Sequence, residues 1–140
     1  MKNERGFSLI ELLVVVVVIG IVAALSVPAL QKALMAAENG NTFGTLRAIA
    51  SSEMSYYTQN QRFGRIGEIN SMMNNSLGTT TGGGTTMTRG KYTFEMTPPA
   101  PTDPELKNEF KITATRNVTG EGIVYVYEVT QQREVRQVIP

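Results

Sequence analysis

Cysteine and histidine are both absent. Without thiolate or imidazole there is no disulfide and no zinc site built on those ligands. The commonest general base and the commonest nucleophile–base pairs are missing too. Ser51-Ser52-Glu53 has neither His nor Lys beside it, so a serine nucleophile there would have nothing to activate it, and no enzyme is expected. No run of positive charge occurs either. The formal net charge is +1 and the cations are scattered, so composition calls for no nucleic-acid partner. The last absence is local: no charged residue occurs between Leu12 and Leu30.

That uncharged stretch contains the apolar run Val14 to Leu25, long enough with its flanks to be read as membrane-spanning. Lys2 and Arg5 precede it, and the positive side marks the cytoplasmic side of a single-pass segment. A secretory signal would have a shorter apolar core followed by an A-x-A-like cut site. Neither fits here, so any processing falls before the run. Val14 to Val18 has strong strand propensity. An isolated strand cannot satisfy its backbone in a bilayer, so helix is predicted. Gly20 and Pro28 interrupt it; proline removes a donor and crowds the preceding turn, predicting a kink or loosening there.

From Gln31 the pattern becomes amphipathic, with Leu34, Met35, Phe43, Leu46, Ile49, Met54 and Tyr57 at near-helical spacing. Lys32, Glu38, Arg47 and Glu53 fall among the remainder and are read as its solvated face. One helix from about Ser8 to about Thr58 is expected, weakened near Gly40 and Gly44, with Phe43, Leu46, Ile49 and Met54 packing on a sheet. Tyr56, Tyr57 and Phe63 are assigned to the core. A short helix is expected within Arg62–Met73. The Thr- and Gly-rich stretch Thr79 to Thr88 has little to bury and is expected to be a mobile surface loop. Strands follow at Lys91–Thr97, Phe110–Thr115 and Ile123–Thr130, with a charged edge strand over Arg133–Ile139. The proline-rich stretch Pro98 to Pro104 is expected to stop regular structure, and Asn117–Gly122 to turn the chain. The fold class is α+β: a long N-terminal helix, apolar then amphipathic, packed on a small antiparallel sheet.

The most informative segment is Gly6-Phe7-Ser8-Leu9-Ile10-Glu11-Leu12. It resembles the class III signal of type IV pilins and of type II secretion pseudopilins. The resemblance covers about Lys2 to Leu30, and beyond that only the general layout agrees. It implies a leader of residues 1–6, a membrane and filament-core helix of residues 7–30 and a globular domain of residues 31–140. It implies that a prepilin peptidase cuts after Gly6 and N-methylates Phe7. It matches Glu11 to the family's acidic residue, and Gly20 and Pro28 to positions where members break the helix inside a filament. The implied partners are further copies of the chain in a helical filament, the peptidase, an inner-membrane assembly platform and the membrane itself. The precursor is then an inner-membrane protein with a cytoplasmic N-terminus. The filament is an extracellular pilus or a periplasmic pseudopilus. No cofactor is implied.

Physics supports the assignment to Glu11. A lone carboxylate in a bilayer costs about 2.5–3.5 kcal/mol by insertion scales. Alone, Glu11 reads as a charge snorkelling at the membrane edge. With Gly6-Phe7 before it, cleavage would create an amine at nearly the same depth. Glu11 of one subunit then pairs with the Phe7 amine of its neighbour and fixes the axial stagger. Glu38, on the amphipathic half, is expected to matter much less.

The chain departs from relatives that close a C-terminal loop with a disulfide, since it has no cysteine. Asp103, Glu105 and Glu109 lie close together but read as a solvated acidic turn rather than a calcium loop. Asn74-Asn75-Ser76 and Asn117-Val118-Thr119 fit the glycosylation acceptor pattern, which is short enough to recur by chance. The leading reading is a type IV pilus subunit. The alternatives are a type II secretion pseudopilin and a binding module on an ordinary one-pass anchor.

Overall fold

A computed structural model describes residues 6–117 and 124–139. Lys2 and Arg5, and most of the expected turn after Asn117, lie outside the described residues. Helix α1 spans Leu9–Asn60. It contributes to two compact units, Met1–Ala37 and Glu38–Pro140.

In the first unit every side chain from Phe7 to Leu34 is exposed. α1 is long and apolar enough to cross a membrane. The five valines are helical, as hydrogen-bond closure within one segment requires. Helical structure also continues through Gly20 and Pro28 in the isolated chain. Pro28 withholds one N–H, and nearby the Ser26 hydroxyl donates to the Val22 carbonyl at 2.8 Å.

The second unit is built on a six-stranded antiparallel meander in the order β1-β2-β3-β4-β5-β6. Its strands are Thr79–Thr81, Thr86–Arg89, Tyr92–Met96, Lys111–Asn117, Val124–Thr130 and Val135–Ile139. Two short helices, α2 (Ile66–Met72) and α3 (Asp103–Leu106), complete it. The α+β class stands, and β6 is an edge strand with its charges exposed. Tyr92, Phe94 and Met96 share the buried face of β3, as the alternation predicts. Register aligns Met87, Phe94, Ala114 and Tyr127 across four strands. Small Ala114, fully buried between two aromatic neighbours, leaves room for both rings. Ala114→Leu should therefore overpack the row and cost about 1–3 kcal/mol. The check is chemical denaturation of the full chain in detergent micelles, with an unchanged midpoint counting against this packing.

Three local expectations are corrected. The Thr79–Thr88 stretch is not an irregular loop but the hairpin β1–β2 around a short 3-10 turn at Gly82–Gly84. What organises it is a side chain of the preceding helix. Buried Asn70 of α2 donates to the Gly78 carbonyl at 2.9 Å and accepts from the Leu77 N–H at 3.1 Å. Second, the proline-rich stretch ends in α3. The Thr102 N–H and hydroxyl both donate to Glu105, at 2.7 and 2.8 Å. That is a capping box, written in the sequence as Thr-x-x-Glu. Third, the buried stripe of α1 is not the expected one. Leu46 and Ile49 are buried and Phe43 packs edge-on to Tyr127 at 5.3 Å, but Met54 is exposed while Glu53 is buried. At 3.6 residues per turn the track Leu46, Ala50, Glu53, Tyr57 faces inward. The charge on Glu53 hid that track from a hydrophobic count.

The aromatic assignments are met by Tyr57 and Phe63, whose rings lie 4.7 Å apart, with Phe63 4.9 Å from Phe110. Tyr56 is half-buried under the Arg62 guanidinium, 5.4 Å from its ring.

Candidate functional site

Gly6, Phe7 and Ser8 precede the first turn of α1 and are exposed. Among the described residues, nothing beyond its chain neighbours lies within 4 Å of where a Cβ on Gly6 would stand. The Gly6–Phe7 bond therefore precedes the helical hydrogen-bond ladder of α1, and both of its residues are exposed. Phe7 is 82% exposed.

Ser8 is the N-cap of α1: its carbonyl accepts the Leu12 N–H at 3.2 Å. Its own N–H donates to Glu11 Oε2 at 2.8 Å. Ser8-Leu9-Ile10-Glu11 is thus the capping signature Ser-x-x-Glu, with the N3 carboxylate reaching back to the N-cap amide. Helix dipole and amide both favour a negative charge there. The sequence reading missed this second role of Glu11, although the spacing displays it. Glu11 is not bare in the isolated chain: one carboxylate oxygen holds the start of the helix. Oε1 makes no bond among the described residues. Phe7, Ile10, Val14 and Val15 surround the carboxylate with apolar surface on one side of the helix. An anionic acceptor rimmed by apolar groups suits a cationic partner delivered together with more apolar surface.

Gly20 and Pro28 lie farther along the same exposed helix and touch none of these groups. Asn74 is exposed in the turn after α2, where a positive φ of 54° marks a left-handed residue. The rest of the second acceptor pattern, Val118 and Thr119, lies outside the described residues. The acidic turn is committed elsewhere: Asp103 meets Arg65 at 2.6 Å and Glu105 caps α3.

Several polar groups of the second unit are tied into the fold. Arg116 of β4 is 1% exposed and donates to Glu38 Oε2 at 3.3 Å, with Lys91 3.8 Å from the same carboxylate. Beside them the Tyr92 hydroxyl donates to Asn39 Oδ1 at 2.6 Å. Glu38 is therefore not on the solvated face that charge alone suggested. Arg62 donates two bonds to Glu68, at 2.9 and 2.7 Å, and this pairing holds the Glu68 carboxyl down at about 2.

Residues 1–27 match the family model for the prokaryotic N-terminal methylation motif. The chain is 34% identical over 61 residues to the type IV major pilin protein PilA of Myxococcus xanthus (strain DK1622). The match covers 44% of this chain and 28% of that protein. The chain thus carries the methylation motif and is similar to type IV pilins.

Proposed function

We propose that this chain, with its N-terminal methylation motif, is a structural subunit of a type IV pilus. A prepilin peptidase cuts between Gly6 and Phe7 and methylates the Phe7 amine. The apolar half of α1 holds the subunit in the inner membrane until an assembly platform transfers it to the filament. There that half packs against other copies, with local loosening at Gly20 and Pro28. Glu11 of one copy takes up the Phe7 amine of the next through the oxygen that Ser8 leaves open.

The observation that carries this reading is the apolar helical surface from Phe7 to Leu34, exposed throughout and beginning at an accessible Gly6–Phe7 bond. A surface that large needs a membrane or a partner. A helix that begins with a cuttable junction and an acceptor carboxylate suits both in turn. The similarity to a major pilin favours a pilus over a secretion pseudopilus.

Intact mass and N-terminal sequencing of membrane-extracted protein test it. The mature chain should begin with N-methylated Phe7, and Gly6→Trp should leave full-length precursor in the membrane. A chain from producing cells that still begins at Met1 would rule the reading out. Filaments sheared from the cell surface should contain the mature chain; its confinement to the periplasm would move the assignment to a pseudopilus.

A further inference from the structure

Glu53 is fully buried on the inward track of α1. Oε2 accepts the Gly64 N–H at 2.7 Å, and Oε1 is buried with no hydrogen-bond partner among the described residues. The cations nearby are engaged elsewhere. Arg62, on the connection between α1 and α2, forms its fork with Glu68 and lies 3.7 Å from Asp103. Arg65 meets Asp103 and donates to the Pro101 carbonyl at 3.1 Å. From α2 the charged group nearest in influence is Glu68, a like charge. Tyr56 and Tyr57 are the neighbouring phenols on α1 itself.

A buried carboxylate with one amide donor and no cation is too poorly solvated to persist as an ion. We infer that Glu53 is carried as the neutral acid, its proton on Oε1, and that this proton operates a latch holding the Gln61–Arg65 connection against α1. Loss of the proton places a charge beneath Gly64 that its single amide solvates too weakly, so water must enter and the connection lifts. The fit depends on Gly64. A Cβ there would stand 2.6 Å from Ile69 Cδ1 and 3.3 Å from Tyr56 Cδ1, so the bare backbone is what allows the amide to reach the acid.

Burial pushes the Glu53 carboxyl up to about 8; the Gly64 amide and Arg62 oppose the shift, and Glu68 adds to it. A freed Glu53 would titrate near about 4.3. The raised value belongs to the closed form, so the latch is strongest below the freed value. It weakens as pH rises and has lost this contribution above about 8. Across that window opening releases one proton, so the opening equilibrium rises by up to about tenfold per pH unit.

Hydrogen exchange of the full chain in detergent micelles, corrected for the intrinsic pH dependence, tests the latch. Protection of the Gly64 peptide should fall by up to about tenfold per pH unit from about pH 5 to about pH 8 and then level off. Glu53→Gln, uncharged and similar in shape, should show no such fall. A flat wild-type profile overturns the inference, as does an equal fall in β4 peptides, which would make the opening global. The Glu53 carboxyl carbon shift, followed by NMR against pH, decides the matter even if Glu53→Gln does not fold. Titration in the ordinary carboxylic-acid range would end the proposal, and titration well above it supports the neutral acid.

Discussion

Glu11→Val is expected to give cleaved, membrane-inserted subunits and few filaments. Insertion should be unaffected or slightly improved, because a carboxylate no longer enters an apolar environment. Assembly should suffer, because the neighbour's Phe7 amine then lies in a low-dielectric core without its counter-charge. Breaking a buried pair by removing one member costs about 3–5 kcal/mol. At about 1.4 kcal/mol per decade, that weakens each contact at least a hundredfold. The hydrogen bond from the Ser8 N–H to Glu11 Oε2 makes a second variant informative. Glu11→Gln keeps an oxygen for that amide and removes the charge. If capping were the whole role of Glu11, Gln would restore filaments; if pairing governs, Gln should fail nearly as badly as Val. Glu11→Asp, one methylene shorter, should be intermediate. Filaments would be counted by electron microscopy and subunit levels checked by immunoblot. Normal filament numbers from Glu11→Val at normal subunit levels would remove the pairing mechanism. The suitable control is Glu109→Val, an exposed charge, since Glu38 has structural work of its own.

Glu38→Val should destabilise the second unit by about 3 kcal/mol, where its charge pattern alone predicts little. Arg116 is buried in β4 and donates to Glu38. Removing the carboxylate leaves a guanidinium with less compensation in a poorly solvated place, the costly half of breaking such a pair. Glu38 itself is partly exposed, which puts the cost at the low end of the range. Glu38→Gln, which keeps an acceptor, should lose less. Glu38→Val combined with Arg116→Leu should be more stable than Glu38→Val alone, because the buried charge that lost part of its compensation is removed as well. Urea denaturation of the full chain in micelles measures all three. An unchanged midpoint for Glu38→Val would show that the Arg116 charge is neutralised without it.

Helix and strand were legible wherever one chemical pattern dominated. The uncharged stretch ending at Leu30 requires a helix in a bilayer, because no other single segment closes its own hydrogen bonds. Tyr92, Phe94 and Met96 announce a half-buried strand through period two alone. The N-terminal methylation motif was likewise readable in one dimension, since it is a pattern of consecutive residues. The capping role of Glu11 was readable as well, from Ser-x-x-Glu.

The tertiary structure decided the fate of the charges and of the weakly patterned stretches. Glu38, Glu53 and Arg116 have the same letters whether solvated or buried. Burial is set by what the fold places opposite them: Arg116 of β4 against Glu38, and the Gly64 amide against Glu53. The Thr- and Gly-rich hairpin carries little hydrophobic signal of its own. Its strands exist because Asn70 of α2 ties the chain before β1 in place and β3 offers a pairing edge to β2. Local sequence encodes periodicity and caps. A buried polar group becomes affordable only when a partner distant in the chain is folded against it, and no local pattern records that.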